Sequence, residues 1–276
     1  MLSPKKTKIV IHPVEEPLDP VLLAREGKFN VVLNIVRNLN AEGKYHEALF
    51  TAECLEPNLP TTLLEQAYAF VSIGHFDHIE DHLKRIFTEI PSNLFFLYQA
   101  SKQVAYAEMM RGDFEKAQSY ANRAIEYAYL SHQSDQKIEA MILLARIHAY
   151  AGDFEACNTI LNQVLEQNPA VKFSPQASHY NYAISHYLYM KADPQCSRFN
   201  AFARISSEGS KLPVFEYKCQ VESFMMQQVA GLNYDSEYEG HCREFASTSG
   251  SDLKNWVSAI LDKGPCYNAV LKTLLK

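Results

Sequence analysis

Three histidines, His75, His78 and His82, stand three and four residues apart and interleave with Asp77 and Asp81. On a helix, residues three, four and seven apart share a face, so these imidazoles could converge on a metal ion. His78 and His82 have the four-residue spacing of helical zinc sites, but the run reads His-Ile-Glu-Asp-His. Glu80 is therefore second after the first histidine, where the metalloprotease pattern needs the glutamate directly after it. The expectation is solvated histidines on one helix face and no metal, with metal-dependent catalysis the least favoured reading. A second concentration runs from His179 to Tyr189 and holds His179, His186 and four tyrosines. Such a stripe could grip a peptide or a flat ligand. Packing between neighbouring helices is the more economical use of so many tyrosines.

Other catalytic patterns are missing. The sequence has no Gly-x-Ser-x-Gly elbow, no phosphate-cradling glycine loop and no dinucleotide fingerprint. Ser247–Ser251 is its Gly/Ser cluster, with no strand before it and no lysine directly after. Glu15-Glu16 and the Glu237/Glu239 pair read as solvated loop charge. No enzyme activity and no cofactor are expected. The net charge of −6 over 276 residues repels phosphate backbones, so direct nucleic-acid binding is disfavoured. Six cysteines without a Cys-x-x-Cys pair fit reduced, buried thiols in a cytoplasmic protein. No apolar run reaches the ~18 residues of a membrane span, and Ile9-Val10-Ile11 is too short for a signal sequence.

The elements that position these residues read as helices. Ten glycines and twelve prolines are few for a strand-and-turn protein. Residues 1–20 carry Pro4, Pro13, Pro17 and Pro20 and read as an extended arm. Val32, Ile35, Val36 and Leu39 then recur at helical spacing, followed by Gly43 and a second apolar face through Tyr45, Ala48, Leu49 and Ala52. The pattern returns around Gly74, around Gly112-Asp113-Phe114 and around Gly152-Asp153-Phe154. Glycine permits the left-handed stop of one helix, and Asp113 or Asp153 caps the next. A fifth hairpin runs from Ser178 through a turn at Ala192-Asp193-Pro194 to Ile205. A sixth covers 215–245. Repeated helical pairs imply one continuous stacked core, with residues 21–246 as the repeat domain. Residues 247–276 are read as helices that cap its last apolar face, or that pair two copies into a homodimer.

The Gly-(Asp)-aromatic turn, the small residue three positions after the aromatic and the closing proline together resemble the tetratricopeptide repeat (TPR) family. Ala48 follows Tyr45, Ala117 follows Phe114, and Cys157 follows Phe154; Pro57, Pro91 and Pro169 supply ends. The family's tryptophan in the first helix is absent, and Ile79 stands where alanine is usual, so the repeats are divergent. The resemblance implies an all-α, right-handed superhelical α-solenoid of about five or six TPR-like hairpins with a C-terminal capping helix.

It also implies a concave groove lined by the first helix of each hairpin. Counted from the turns, groove positions fall on Asn30, Asn34 and Arg37, on Tyr68, and on Gln99, Lys102, Gln103 and Tyr106. They continue at Glu139 and Arg146, then Asn181 and Ser185. These are suitable groups for clamping an extended backbone or a carboxylate. Leu33 and Leu64 stand where chaperone-tail-binding members carry Lys or Arg, which disfavours that ligand. The expected function is a non-catalytic scaffold or adaptor that holds a protein or peptide segment in the groove. The rival reading is a detached sensor controlling a bacterial transcription regulator or a secretion and assembly machinery.

Overall fold

The computed structural model describes residues 19–209 except 57, 58 and 74, together with 218–223, 226–227, 230–231, 240 and 243–244. The Gly74 turn, Pro57, nearly all of the N-terminal arm, much of the sixth hairpin and the closing helices of 247–276 lie outside those residues. Within them every regular element is helical. The order is α1 (Pro20–Arg25), α2 (Phe29–Ala41), α3 (Tyr45–Ala52), α4 (Pro60–Ser72), α5 (Ile79–Glu89) and α6 (Leu94–Arg111). It continues with α7 (Phe114–Leu130), α8 (Ser134–Ala151), α9 (Phe154–Gln167), a 3-10 turn at Val171–Phe173, α10 (Ala177–Met190) and α11 (Cys196–Gly209). Pro20, assigned to the arm on sequence, opens α1, with the Asp19 carboxylate accepting from the Val21 and Leu22 amides. Proline is well suited there, because the first helical N–H has no intrahelical partner to lose.

The turns are built by their residue types. Gly112 and Gly152 end α6 and α8 at φ of 84° and 82°. The next amides, of Asp113 and Asp153, donate back to the Glu108 and His148 carbonyls at 3.0 and 2.9 Å. Each aspartate then accepts from the amide three residues on, Lys116 or Ala156, at 3.1 Å, which starts α7 and α9. Gly43 makes the same left-handed stop at φ 78°, but Lys44 takes the aspartate's place and α3 has no side-chain cap. The second hairpin differs. In the other three the aromatic itself opens the second helix, whereas α5 begins at Ile79, three residues after Phe76. His78 precedes it in the left-handed region at φ 69°, a conformation that cannot continue a helix backwards.

Helices pack as consecutive pairs: α2 with α3, α4 with α5, α6 with α7, α8 with α9, and α10 with α11. The first helices of the pairs also touch in order, α2 to α4, α4 to α6, α6 to α8 and α8 to α10. Ala48, Ala117 and Cys157 are fully buried where the two helices of a pair meet, and larger side chains there would hold the helices apart. One apolar core runs through successive hairpins, from Leu63, Leu83 and Ile86 through Leu97 and Val104 to Leu143, Ile147 and Tyr189. Burying a Leu or Ile side chain as completely as Leu83 and Ile86 contributes about 1.5–3 kcal/mol. The arrangement is all-helical and compatible with an α-solenoid. Val221 and Met226, from beyond α11, belong to the same core.

Candidate functional site

The first-helix layer carries the polar residues singled out by sequence, and Arg37, Lys102 and Glu139 bridge neighbouring helices by hydrogen bonds. Asn30, Asn34 and Arg37 are exposed on α2, and Tyr68 keeps 41 % of its surface on α4. Arg37 Nε donates to Glu65 Oε1 at 2.9 Å, and Asn40 Nδ2 donates to Glu65 Oε2 at 3.1 Å and to its carbonyl at 3.2 Å. Glu65 thus clasps α2 to α4. On α6, Gln99, Lys102, Gln103 and Tyr106 are half-buried, as are Glu139 and Arg146 on α8. Lys102 Nζ and the Tyr98 hydroxyl both donate to Glu139 Oε2, at 3.1 and 3.0 Å, which clasps α6 to α8. Burial raises the Glu139 carboxyl, but Lys102 and Tyr98 outweigh it and hold the group below its ordinary value. His179 lies near this pair and is pushed down to about 4, chiefly by burial.

Asn181 and Ser185 do not line an open wall. Both are buried, and Ser185 Oγ donates to the Tyr182 carbonyl at 2.8 Å. The reason is that α10 touches α8, α9, α11 and the 3-10 turn, and Tyr182 packs with Ala203 and Cys219 on a further side. A helix so enclosed leaves no polar face to solvent.

The densest chemistry on this layer centres on Glu222. The residues 218–223 are helical, and Glu222 has no solvent exposure. The Tyr182 hydroxyl donates to Glu222 Oε1 at 2.7 Å, and His186 Nε2 donates to Oε2 at 2.8 Å. With its Nε2 proton directed at the carboxylate, His186 offers the Nδ1 lone pair to the Tyr150 hydroxyl. Burial lowers the His186 pKa against the opposing pull of Glu222, so the ring is neutral at pH 7. Arg146 lies 4.9, 5.7 and 5.9 Å from the ring centres of Tyr182, Tyr106 and Tyr150. Four residues before Glu222, Lys218 lies near Tyr106, Tyr45 and Tyr68; burial acts to lower its ammonium, and these groups with Glu222 leave it raised. On the same layer, the Tyr68 hydroxyl is pushed up to about 12 by burial. Beyond Glu222, Cys196 Sγ donates to the Met226 carbonyl at 3.6 Å. A helical stretch from past residue 209 therefore lies against α10 and α11, with Lys218 near tyrosines of α4 and α6.

The histidine cluster is taken apart by the turn that precedes α5. His75 is exposed outside any helix and stacks on Phe70, with ring centres 6.4 Å apart. His78 is the left-handed cap, and only His82 lies within α5. His82 is half-buried, with Nε2 3.1 Å from the Leu63 carbonyl and its pKa lowered by burial. The common helix face expected from the spacing does not form, because the helix starts after the first two histidines. Among the described residues no group of three His, Cys, Asp or Glu side chains is placed to hold a metal ion.

No protein-family model matches the chain. No curated protein matches it either. The residues that sequence reasoning missed are Glu222, Lys218, Tyr150, Tyr98, Glu65 and Asn40, whereas Tyr182 and His186 belong to the aromatic stripe it singled out. One signal for Glu222 was present: it is an acid set among Val221, Phe224, Met225 and Met226, and Lys218, Glu222 and Met226 recur every four residues.

Proposed function

We propose that the protein is a non-catalytic interaction scaffold that holds a helical segment of a protein partner on its first-helix layer. In this reading the layer is the concave side of a right-handed TPR-like superhelix. One observation carries the proposal. The layer is already occupied by a helix, residues 218–223, held by directional contacts at Glu222 as well as by apolar packing. A surface with that chemistry recognises a helix by its side-chain pattern. The inert thiols support the same reading: burial pushes Cys157 up to about 12 and Cys196 up to about 11, far from a nucleophilic thiolate. Cys54, Cys157, Cys196 and Cys219 are free, as in a reducing, cytoplasmic setting. Among the described residues no helix is long and apolar enough to cross a membrane.

The test is cross-linking capture from native lysate with the wild-type chain and with Lys102→Ala/Arg146→Ala. The proposal expects a protein cross-linked to residues of α6, α8 or α10 that the double variant loses while keeping its helical circular dichroism. Equal capture by both chains, or cross-links confined to the second helices, would overturn it.

A further inference from the structure

We propose that a nitrogen-preferring divalent metal ion such as zinc resets the start of α5, with His78 and His82 as its protein ligands. The inference goes beyond the partner reading above, because neither ligand lies on the first-helix layer. In three hairpins the residue two after the turn glycine opens the second helix, at Tyr45, Phe114 and Phe154. The equivalent residue here is Phe76, yet α5 starts at Ile79, behind a left-handed His78 at φ 69°. The position three after the aromatic supplies the reason. Ala48, Ala117 and Cys157 are small and fully buried where two helices meet, whereas α5 carries the bulkier Ile79 there, also buried. Its bulk holds the first turn off α4, and the left-handed histidine stores backbone strain.

Two registers therefore compete for residues 76–78. The present one is held by Asp77 to Arg111 at 3.3 Å and by Glu80 to Lys116 at 2.5 Å, with the Tyr120 hydroxyl donating to Glu80. In the other, a right-handed His78 lets the helix begin at Phe76 and relieves the strain. His78 and His82 then stand one turn apart on one face, the spacing of a two-imidazole metal site. His82 is already set as a ligand. Its Nε2–H donates to the Leu63 carbonyl at 3.1 Å, which leaves Nδ1 as the lone-pair nitrogen. A metal-bound histidine is held in the same way, by a carbonyl on its other nitrogen. Burial lowers the His82 pKa and keeps the ring neutral, the form that ligates. Helical side chains lean towards the N-terminus, so this ring leans towards position 78. His78 is exposed, so an ion reaches it from solvent, and water completes the shell. The pair forms only in the longer helix, so metal binding and helix extension are one equilibrium.

The test is a zinc titration of the metal-free full chain, without an affinity tag, followed by amide exchange. In the present register the first intrahelical bond of α5 runs from the His82 amide to the His78 carbonyl at 2.8 Å. In the longer helix the Glu80 and Asp81 amides gain the Phe76 and Asp77 carbonyls as partners. The proposal predicts saturable binding of one zinc per chain, with exchange at Glu80 and Asp81 slowed at least about ten-fold. His78→Gly keeps the left-handed turn and removes one ligand, and His82→Gln removes the other. Each is expected to lose both effects. Zinc bound as well by His78→Gly as by the wild type would overturn the ligand assignment. Zinc bound with unchanged exchange at Glu80 and Asp81 would overturn the reset. An absence of binding at about 100 µM zinc would overturn the site itself.

Discussion

Two buried glutamates in this molecule are satisfied in opposite ways. Glu108, 3 % exposed near the end of α6, is met by Arg111 at 3.2 Å and Lys116 at 2.9 Å, both from the same turn and hairpin. Glu222 is met by Tyr182 and His186, which are 40 and 36 residues away. Glu108 is therefore answered within its own hairpin, by residues that the Gly112-Asp113-Phe114 turn brings together. Glu222 takes its donors from α10 when two distant segments, α10 and 218–223, dock. Local satisfaction builds scaffold; remote satisfaction makes a contact that can be opened without unfolding the rest.

The largest expected effect tests the remote half. Glu222→Ala leaves the Tyr182 hydroxyl and the His186 Nε2 proton buried without their acceptor, which costs about 3 kcal/mol. The loss should appear in the opening free energy of 218–223 by amide exchange, with α8 protected as before. Equal loss of protection in both would erase the distinction between the regions. The local half should respond globally. Gly152 sits at φ 82° with open space where a Cβ would lie, so its substitution meets backbone strain alone. Gly152→Val is expected to cost about 2 kcal/mol in chemical denaturation. Asp153→Ala, which removes the cap on Ala156, should cost about 1 kcal/mol by the same measurement. A change confined to 218–223 in either variant would contradict the local assignment.

The same division explains what could be read from the sequence. Gly112-Asp113-Phe114 and Gly152-Asp153-Phe154 specify their turns through φ and one side-chain hydrogen bond, both properties of a few adjacent residues. The hairpins from α2 to α11 follow from such turns and from helical spacing. Asn181 and Ser185 were placed by that register on an open wall and are instead enclosed, because their surroundings depend on elements far away in the chain. The histidine cluster failed for a local reason that spacing does not encode: a left-handed His78 delays α5. Glu222 left only a trace, an acid in an apolar helix, since its partners stand 36 and 40 residues earlier.

A double-mutant cycle between Tyr182→Phe and Glu222→Gln, read from amide exchange of 218–223, tests the central claim most directly. Docking of Glu222 onto α10 predicts a coupling of about 1 kcal/mol between the two changes. Strictly additive effects, with no coupling, would show that Glu222 does not sit against Tyr182 and would contradict the account.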